Sequence, residues 1–533
     1  MTMVNNRSVQ IVLFFTLLTL GIFLRVYHLG NFSLFSDERS SVLLGVANIN
    51  QGGMGDLMNP EKTFTPADFW ASRGIKAWFD ADARGDVSGN SLIHDMLLKL
   101  FAFLFGKSDE SMRSVSVLFN VLTLWLMYIW SKKIKPLQKW SLFILSLAVI
   151  EPFFVIYSQQ VRNYATSLFF TTASNYFFWN LIQENSEHSY KNQKNWFAWI
   201  LTSIGALFST YLTGLVIVGQ FLFLLILRYP WKFWIRMVLG LTLILFPLGL
   251  WMVFGPGQYF LQFQADAAEQ LLGFIKANGE IPGWLELSTP SNIFRRTVSI
   301  LSDQFLWTND LYGKHGYKIG AIALIVFLFG VFGWLRKIDF EERKIYTFGL
   351  IQISIPIIFL FLAAIKAGTT SGFFLRYASF GLPFGIFISV GFLAYQWNKG
   401  IWVKAIICLF LVSQTYFLVQ MFLPLYSDKP QKYTYSHDRG PNPYIKIADL
   451  IKEKYKSGDT VVYPSSMANF LDSKHMRNRI VDPTDAQNVN LYFSEKDQFI
   501  QRVDSYNRDS IMLNKSNGQK LLIFDFEKGR YRY

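Results

Sequence analysis

Eleven runs of about 17–24 mostly apolar residues recur along this chain, the length a helix needs to cross a bilayer. They are expected at 9–29, 112–131, 139–157, 163–183, 196–212, 213–229, 233–254, 319–336, 345–365, 374–396 and 401–424. A soluble chain of 533 residues would divide into domains joined by polar linkers, whereas here 51% of the residues are hydrophobic and Phe alone occurs 52 times. The fold class is therefore a polytopic α-helical membrane protein of about 11 spans, with room for about 13. The run at 92–106 is too short to span and carries polar positions, which suits a helix lying in the membrane interface and contacting lipid.

The formal charge of +14 would suit a nucleic-acid binder. The bases, however, gather in short loops: Lys132, Lys133, Lys135 and Lys139; Arg228, Lys232 and Arg236; Arg336, Lys337, Arg343 and Lys344. With eleven spans these loops share one side, which the positive-inside rule makes cytoplasmic, so no nucleic-acid partner is expected. The opposite side receives loop 30–91, with eight acids against five bases, loop 255–318 and the tail. The single cysteine, Cys408, lies in an apolar run and excludes an intrachain disulfide or a cysteine metal site. The first span lacks a small-residue cleavage motif and is expected to stay as an anchor.

From about 425 the composition turns polar. Ile445, Ile447, Leu450, Ile451 and Tyr455 share a helical face that Gly458 would end, and 459–463 and 520–525 read as short strands. Residues 425–533 are thus expected to form a small non-cytoplasmic α/β domain after a membrane domain, 1–424, whose outer loop is 30–111.

Three stretches of the expected outer face could carry chemistry. Asp37-Glu38 follows the first span, and paired carboxylates beside a membrane are costly unless solvated, paired or used. Tyr157-Ser-Gln-Gln-Val-Arg162-Asn-Tyr164 ends the third span; on one helix Tyr157, Gln160 or Val161, and Tyr164 would share a face. Arg376-Tyr377 opens the tenth span. Either arginine could merely snorkel to the headgroups, or grip a phosphate at two points. Asp80, Asp82, Asp86 and Asn90 loosely follow a calcium loop, but the flanking helices and closing glutamate are missing. The six histidines form no ligand motif. Outer carboxylates with outer arginines suit transfer from an acidic lipid-linked donor to a hydroxyl. The residues alone leave transporters, channels and membrane transferases open.

Four segments narrow the choice. They are the single span followed by Asp37-Glu38; the 97–106 helix followed by Arg113; Pro152 with Tyr157-Ser-Gln-x-x-Arg162-x-Tyr164; and Arg376-Tyr377 followed by Leu382-Pro383. Over roughly 10–425 the chain resembles the glycosyltransferase C superfamily, in the branch of the protein O-mannosyltransferases and the lipid A aminoarabinose transferase. That resemblance implies an enzyme, an inverting hexosyl- or pentosyltransferase. It would move a sugar from a polyprenyl-phosphate donor to a hydroxyl of a lipid, glycan or protein acceptor on the non-cytoplasmic face of a bacterial inner membrane, in building lipopolysaccharide or other envelope glycans. Asp37 matches the family's general base, Glu38 its neighbour, and Arg162 and Arg376, with Tyr164 and Tyr377, match positions near the donor phosphate. Where the family reads His-Pro-Pro-Leu-Tyr-Tyr, this chain reads Asn90-Ser-Leu-Ile-His94-Asp95, so the second acidic residue falls to Asp86, ahead of His94 and Asp95. No nucleotide or redox cofactor is implied, and the carboxylates leave room for a divalent cation. Two alternatives are an oligosaccharyltransferase or polymerase with a pyrophosphate-linked donor, and a polyprenyl-lipid transporter. The transporter would show repeat-related halves with broken helices and ionisable residues near mid-span; the chain shows no such internal symmetry, and its unusual polar residues cluster at one face.

Overall fold

The computed structural model describes residues 7–49, 58, 62–71, 73–84, 90–184, 193–227, 229–260, 286–306, 317–426, 443–464, 483–504 and 510–526. Every expected span coincides with a helix or a broken helix. They are Arg7–Val26, Asp109–Lys133, Ser141–Ile150 with Pro152–Ser158, Tyr164–Glu184, Gln193–Leu207, Gly214–Ile226, Trp231–Phe254, Tyr317–Leu335, Phe340–Ala367, Leu375–Ala378 with Leu382–Trp397, and Ile401–Leu425. Among the described residues, six helices are long and apolar enough to cross a membrane, or up to seven if the bent pair 138–150 and 152–158 is one span. The chain is an integral membrane protein. Helices such as Trp231–Phe254 expose Val238, Leu239, Leu243 and Phe246, a face suited only to lipid.

The residues cluster into two compact units. One comprises Met1–Leu29, Arg113–Leu248 and Ile281–Asp438; the other comprises Gly30–Met112, Gly249–Glu280 and Arg439–Tyr533. In the first, the Tyr164–Glu184 helix buries a polar face that includes Ser167, Thr171, Ser174 and Asn175. Its Ser174 shares a 2.8 Å hydrogen bond with Ser203, and Gln220 donates to Ser174 and Asn175 while accepting from the Trp199 indole. Polar pairs of this kind hold helices together where lipid removes the hydrophobic drive. A helix absent from the sequence reading, Pro290–Leu306, lies within what was expected to be a plain loop, 255–318.

In the second unit, helices Ser36–Gly45, Pro66–Trp70, Ile75–Arg84 and Leu92–Phe105 accompany a four-stranded sheet. The Leu92–Phe105 helix buries His94, Asp95 and Leu98 and exposes Met96, Leu100, Phe103, Leu104 and Phe105, as an interfacial helix would. Gly45 meets it closely: a Cβ there would sit 3.1 Å from the Asp95 Cα. The strands are β1 (Thr460–Tyr463), β2 (Ile500–Val503), β3 (Ser510–Asn514) and β4 (Lys520–Asp525), in the order β2-β1-β3-β4. The β1–β2 pair is parallel and the other two pairs are antiparallel. The tail helix runs Tyr444–Lys454 and buries Tyr444, Ile447, Ala448 and Ile451. Ile445, assigned to the buried face, is instead 37% exposed, because Tyr444 enters the core one position earlier and rotates the face. Gly458, at φ +91°, makes the turn into β1 that a side chain would strain.

Candidate active site

The structure gathers four of the expected residues into one row in the first unit. The Arg162 guanidinium lies 5.8 Å from the Tyr164 ring, Tyr164 meets Tyr377 edge-on at 6.3 Å, and Arg376 lies 4.9 Å from the Tyr377 ring. Two segments over two hundred positions apart in sequence thus meet through a tyrosine pair, with a partly exposed arginine at each end. Tyr157 joins the row, edge-on to Tyr164 at 5.0 Å.

Tyr157 and Tyr164 meet across a turn, however, and not along one helix. The Pro152–Ser158 helix stops at Ser158, and a new one starts at Tyr164. Between them Gln160 and Arg162 close a tight turn by an N–H···O bond of 2.8 Å. Side-chain hydrogen bonds pair a carbonyl of this break and tie the turn to neighbouring segments, as a turn inside a membrane protein requires. Ser116 donates to the Gln160 carbonyl at 2.6 Å, Asn163 to the Ser209 carbonyl at 2.7 Å, and Gln159 to the carbonyls of Leu24 and Tyr27. The Tyr-Ser-Gln-x-x-Arg-x-Tyr motif is therefore a built turn that aims Arg162.

The turn rests on a second break. Helices 138–150 and 152–158 bend by 51° at Glu151-Pro152, since proline cannot donate its missing N–H. Glu151 caps the second helix by accepting from the Phe154 N–H at 2.8 Å. Arg25, fully buried in the first span, caps the first one: it donates to the carbonyls of Ala148 and Val149, and to Gly21 and the Asn120 side chain. The sequence reading assigned Arg25 no role; an arginine inside an apolar run is itself the signal.

In the second unit, Asp37 and Glu38 lie in the first turn of the Ser36–Gly45 helix and differ in exposure. Glu38 is fully buried, and its carboxylate accepts the Phe35 N–H at 3.0 Å, half of a capping box. Asp37 is partly exposed, with the Ser36 hydroxyl 3.4 Å from its Oδ1. Glu38 thus caps the helix start, and Asp37 is the more exposed of the two carboxylates.

Neighbouring Arg39 is 2% exposed, donates to the Leu34 carbonyl at 3.1 Å and lies 4.8 Å from the Tyr444 ring of the tail helix. Tyr444 donates to the Asp485 carboxylate at 2.6 Å. Burial, and then the Asp485 charge, push the Tyr444 phenol well above its ordinary pKa, so it stays a neutral donor. An antiparallel bridge between Phe64 and Gln501 and a bond from the Trp70 indole to the Phe493 carbonyl add further ties. The tail domain therefore braces the Asp37 loop.

Asp86 lies outside the described residues. Asp82, His94 and Asp95 are buried, and Asp95 accepts from the Ser91 hydroxyl at 2.9 Å. Among the described residues, no group of three His, Cys, Asp or Glu side chains is poised to hold a metal ion.

Comparison with known proteins bears on this site. No curated protein sequence matches the chain. Of solved structures, the chain is similar at 12% identity to ArnT from Cupriavidus metallidurans bound to undecaprenyl phosphate (TM-score 0.46, 91% of this chain and 85% of that one) and to the same protein in the apo state (0.47, 93% and 86%). It is also similar at 12% to the apo Archaeoglobus fulgidus oligosaccharyltransferase (0.46, 85% and 59%). Likenesses of that order carry no functional weight. The sequence model of the dolichyl-phosphate-mannose-protein mannosyltransferase family matches residues 90–251. That segment contains the Leu92–Phe105 helix, the Ala148 and Val149 carbonyls that accept from Arg25 and the whole Arg162 turn, and over it the resemblance to the glycosyltransferase C superfamily, in its protein mannosyltransferase branch, holds.

Proposed function

We propose that the protein is an integral membrane glycosyltransferase that moves a sugar from a polyprenyl-phosphate donor to an acceptor hydroxyl on the non-cytoplasmic face. The observation that carries this reading is the row Arg162–Tyr164–Tyr377–Arg376, which joins the two arginine motifs the family resemblance singles out. Two guanidiniums held on tyrosine rings give planar, permanently charged forks for a phosphate. The protein mannosyltransferase match over 90–251, which includes one of these arginines, supports the same reaction class.

In the step, the acceptor oxygen attacks the anomeric carbon of the sugar as its proton passes to the Asp37 carboxylate. The bond between that carbon and the phosphate oxygen breaks, and its electron pair leaves with the polyprenyl phosphate. This leaving group ionises near neutral pH, so charge stabilisation by Arg162 and Arg376 serves it better than a proton donor. Glu38, spent on the helix cap, keeps Asp37 at the first turn. No cofactor enters the step. The acceptor belongs to the lipids, glycans or proteins of the envelope.

The test follows polyprenyl-phosphate sugars by mass spectrometry in cells lacking the protein, with the wild type or Asp37→Asn restored. A single lipid-linked monosaccharide should accumulate without the protein, persist with Asp37→Asn and disappear with the wild type. Clearance by Asp37→Asn would remove the base assignment. Accumulation of a pyrophosphate-linked species instead would replace the donor.

A further inference from the structure

The Pro290–Leu306 helix and the residues before it touch the Arg376 turn at both ends. Glu286 is central. Its backbone carbonyl accepts the Thr370 N–H at 2.8 Å, Leu287 and Thr369 form an antiparallel bridge, and Ser288 donates to the Gly368 carbonyl at 3.0 Å. The Glu286 carboxylate then takes three partners: the Thr370 hydroxyl at 2.7 Å, the Arg296 Nε at 2.9 Å, and Arg295. Arg296 lies 4.4 Å from the Phe374 ring, and Arg376 lies 5.5 Å from the same ring. At the far end Gln304 donates to the Ala378 carbonyl at 2.9 Å, and Ser389 to Phe305 at 2.8 Å. The turn from Gly368 to Ala378 is thus pinned before and after Arg376.

This geometry has an electrostatic consequence. Arg296 and Arg376 both lie against one phenyl ring, and the repulsion between two such cations is reduced when one of them is paired with an acid. Glu286 supplies that acid, its charge shared between Arg295 and Arg296. Held by the carboxylate, Arg296 packs on Phe374, and the ring with its backbone fixes where the Arg376 fork starts. Without the carboxylate, Arg296 would lose this acidic partner beside the proposed phosphate site, and the turn would lose the Thr370 hydroxyl bond.

We infer that Glu286 is a positioning residue for Arg376, acting through Thr370, Arg296 and Phe374 to aim that guanidinium at the donor phosphate. The inference rests on the donor-phosphate role proposed for Arg376. It concerns a residue 90 positions away, in a segment that neither the motifs nor the family match contains.

The experiment measures binding of undecaprenyl phosphate to the purified full-length protein in nanodiscs. Glu286→Gln keeps the shape and removes the charge, and it should weaken binding about tenfold with the thermal midpoint nearly unchanged. In an Arg376→Lys background, where no fork remains to aim, Glu286→Gln should cost less than about twofold; coupled residues show such non-additivity. Thr370→Val, which removes one partner of the carboxylate and none of the charge, should give about threefold and stands in if Glu286→Gln fails to fold. Equal losses in both backgrounds, or no loss from Glu286→Gln, would overturn the positioning role and leave the donor reading standing. Wild-type affinity in Arg376→Ala would instead remove the donor reading itself, and the inference with it.

Discussion

Replacing Arg25 by Met keeps the length and apolar bulk of the side chain and removes its donors. In the folded protein those donors reach Asn120 at 2.5 Å, Gly21 at 2.8 Å, Val149 at 3.1 Å and Ala148 at 3.4 Å. Gly21 keeps its helical partner, so three acceptors are left without this donor. A buried acceptor that loses its partner costs about 1–3 kcal/mol. The 3.4 Å contact is weak, and part of the cost returns because Met carries no charge to hold in the membrane, about 3 kcal/mol on insertion scales. Because the unfolded protein keeps Arg25 at a span end where it can snorkel, that return counts nearly in full against the roughly 6 kcal/mol lost at three acceptors of about 2 each. The net is a destabilisation of about 3 kcal/mol. At about 2 °C per kcal/mol for large cooperative units, the unfolding midpoint should fall by about 6 °C. The assay is thermal unfolding of the full-length protein in detergent, followed by size-exclusion with fluorescence detection. Arg25→Lys should recover less than half of the loss, because one ammonium cannot reach acceptors on three helices. A midpoint for Arg25→Met within 1 °C of wild type would refute the view that this guanidinium holds the 51° bend together.

Two further outcomes are expected. At Gly385 a Cβ would fall 2.1 Å from the Gln304 carbonyl oxygen, a backbone atom that cannot give way cheaply; Gly385→Ala should cost about 1–3 kcal/mol and lower transfer activity, and wild-type stability and rate together would contradict the close approach. Asp459 accepts from the Lys515 ammonium at 2.9 Å and from the N–H groups of Lys456 and Ser516, bonds that outweigh its burial and hold its pKa below the ordinary 3.8. A depressed folded pKa contributes stability that is present above 3.8 and is lost as pH falls through the lower folded value, so the destabilisation by Asp459→Asn should be full at pH 7 and shrink below pH 3.8; a pH-independent effect would contradict it.

The helices were legible because apolar length is a property of composition, and each expected span has its helix. The Arg162 turn was legible as a motif and not as a shape. Nothing local in Tyr157–Tyr164 shows that Ser116 and Ser209, distant in sequence, supply the partners that allow a helix to stop there. The Pro290–Leu306 helix was missed because Arg295, Arg296 and Asp303 interrupt its hydropathy, although its apolar residues keep helical spacing. Strands β2 and β3 are four and five residues long and alternate buried with exposed positions, which is too little pattern to stand out in a polar tail. Only the family resemblance tells the adjacent carboxylates Asp37 and Glu38 apart in sequence; that Glu38 is the one that caps the helix depends on the backbone at Phe35.

The guanidinium that holds the bend also sets an order of events during synthesis. Arg25 emerges with the first span, whereas the Val149 carbonyl it must meet lies 124 residues later. At about 5–20 residues per second, that partner follows by roughly 6–25 seconds. Until then only Gly21 and, 95 residues on, Asn120 can accept from it, so the charge stays at the membrane surface and draws the end of the first span with it. The first span therefore cannot reach its final depth on insertion. It settles only when the third span arrives, so truncations that end before residue 149 should leave a first helix that is inserted but shallow.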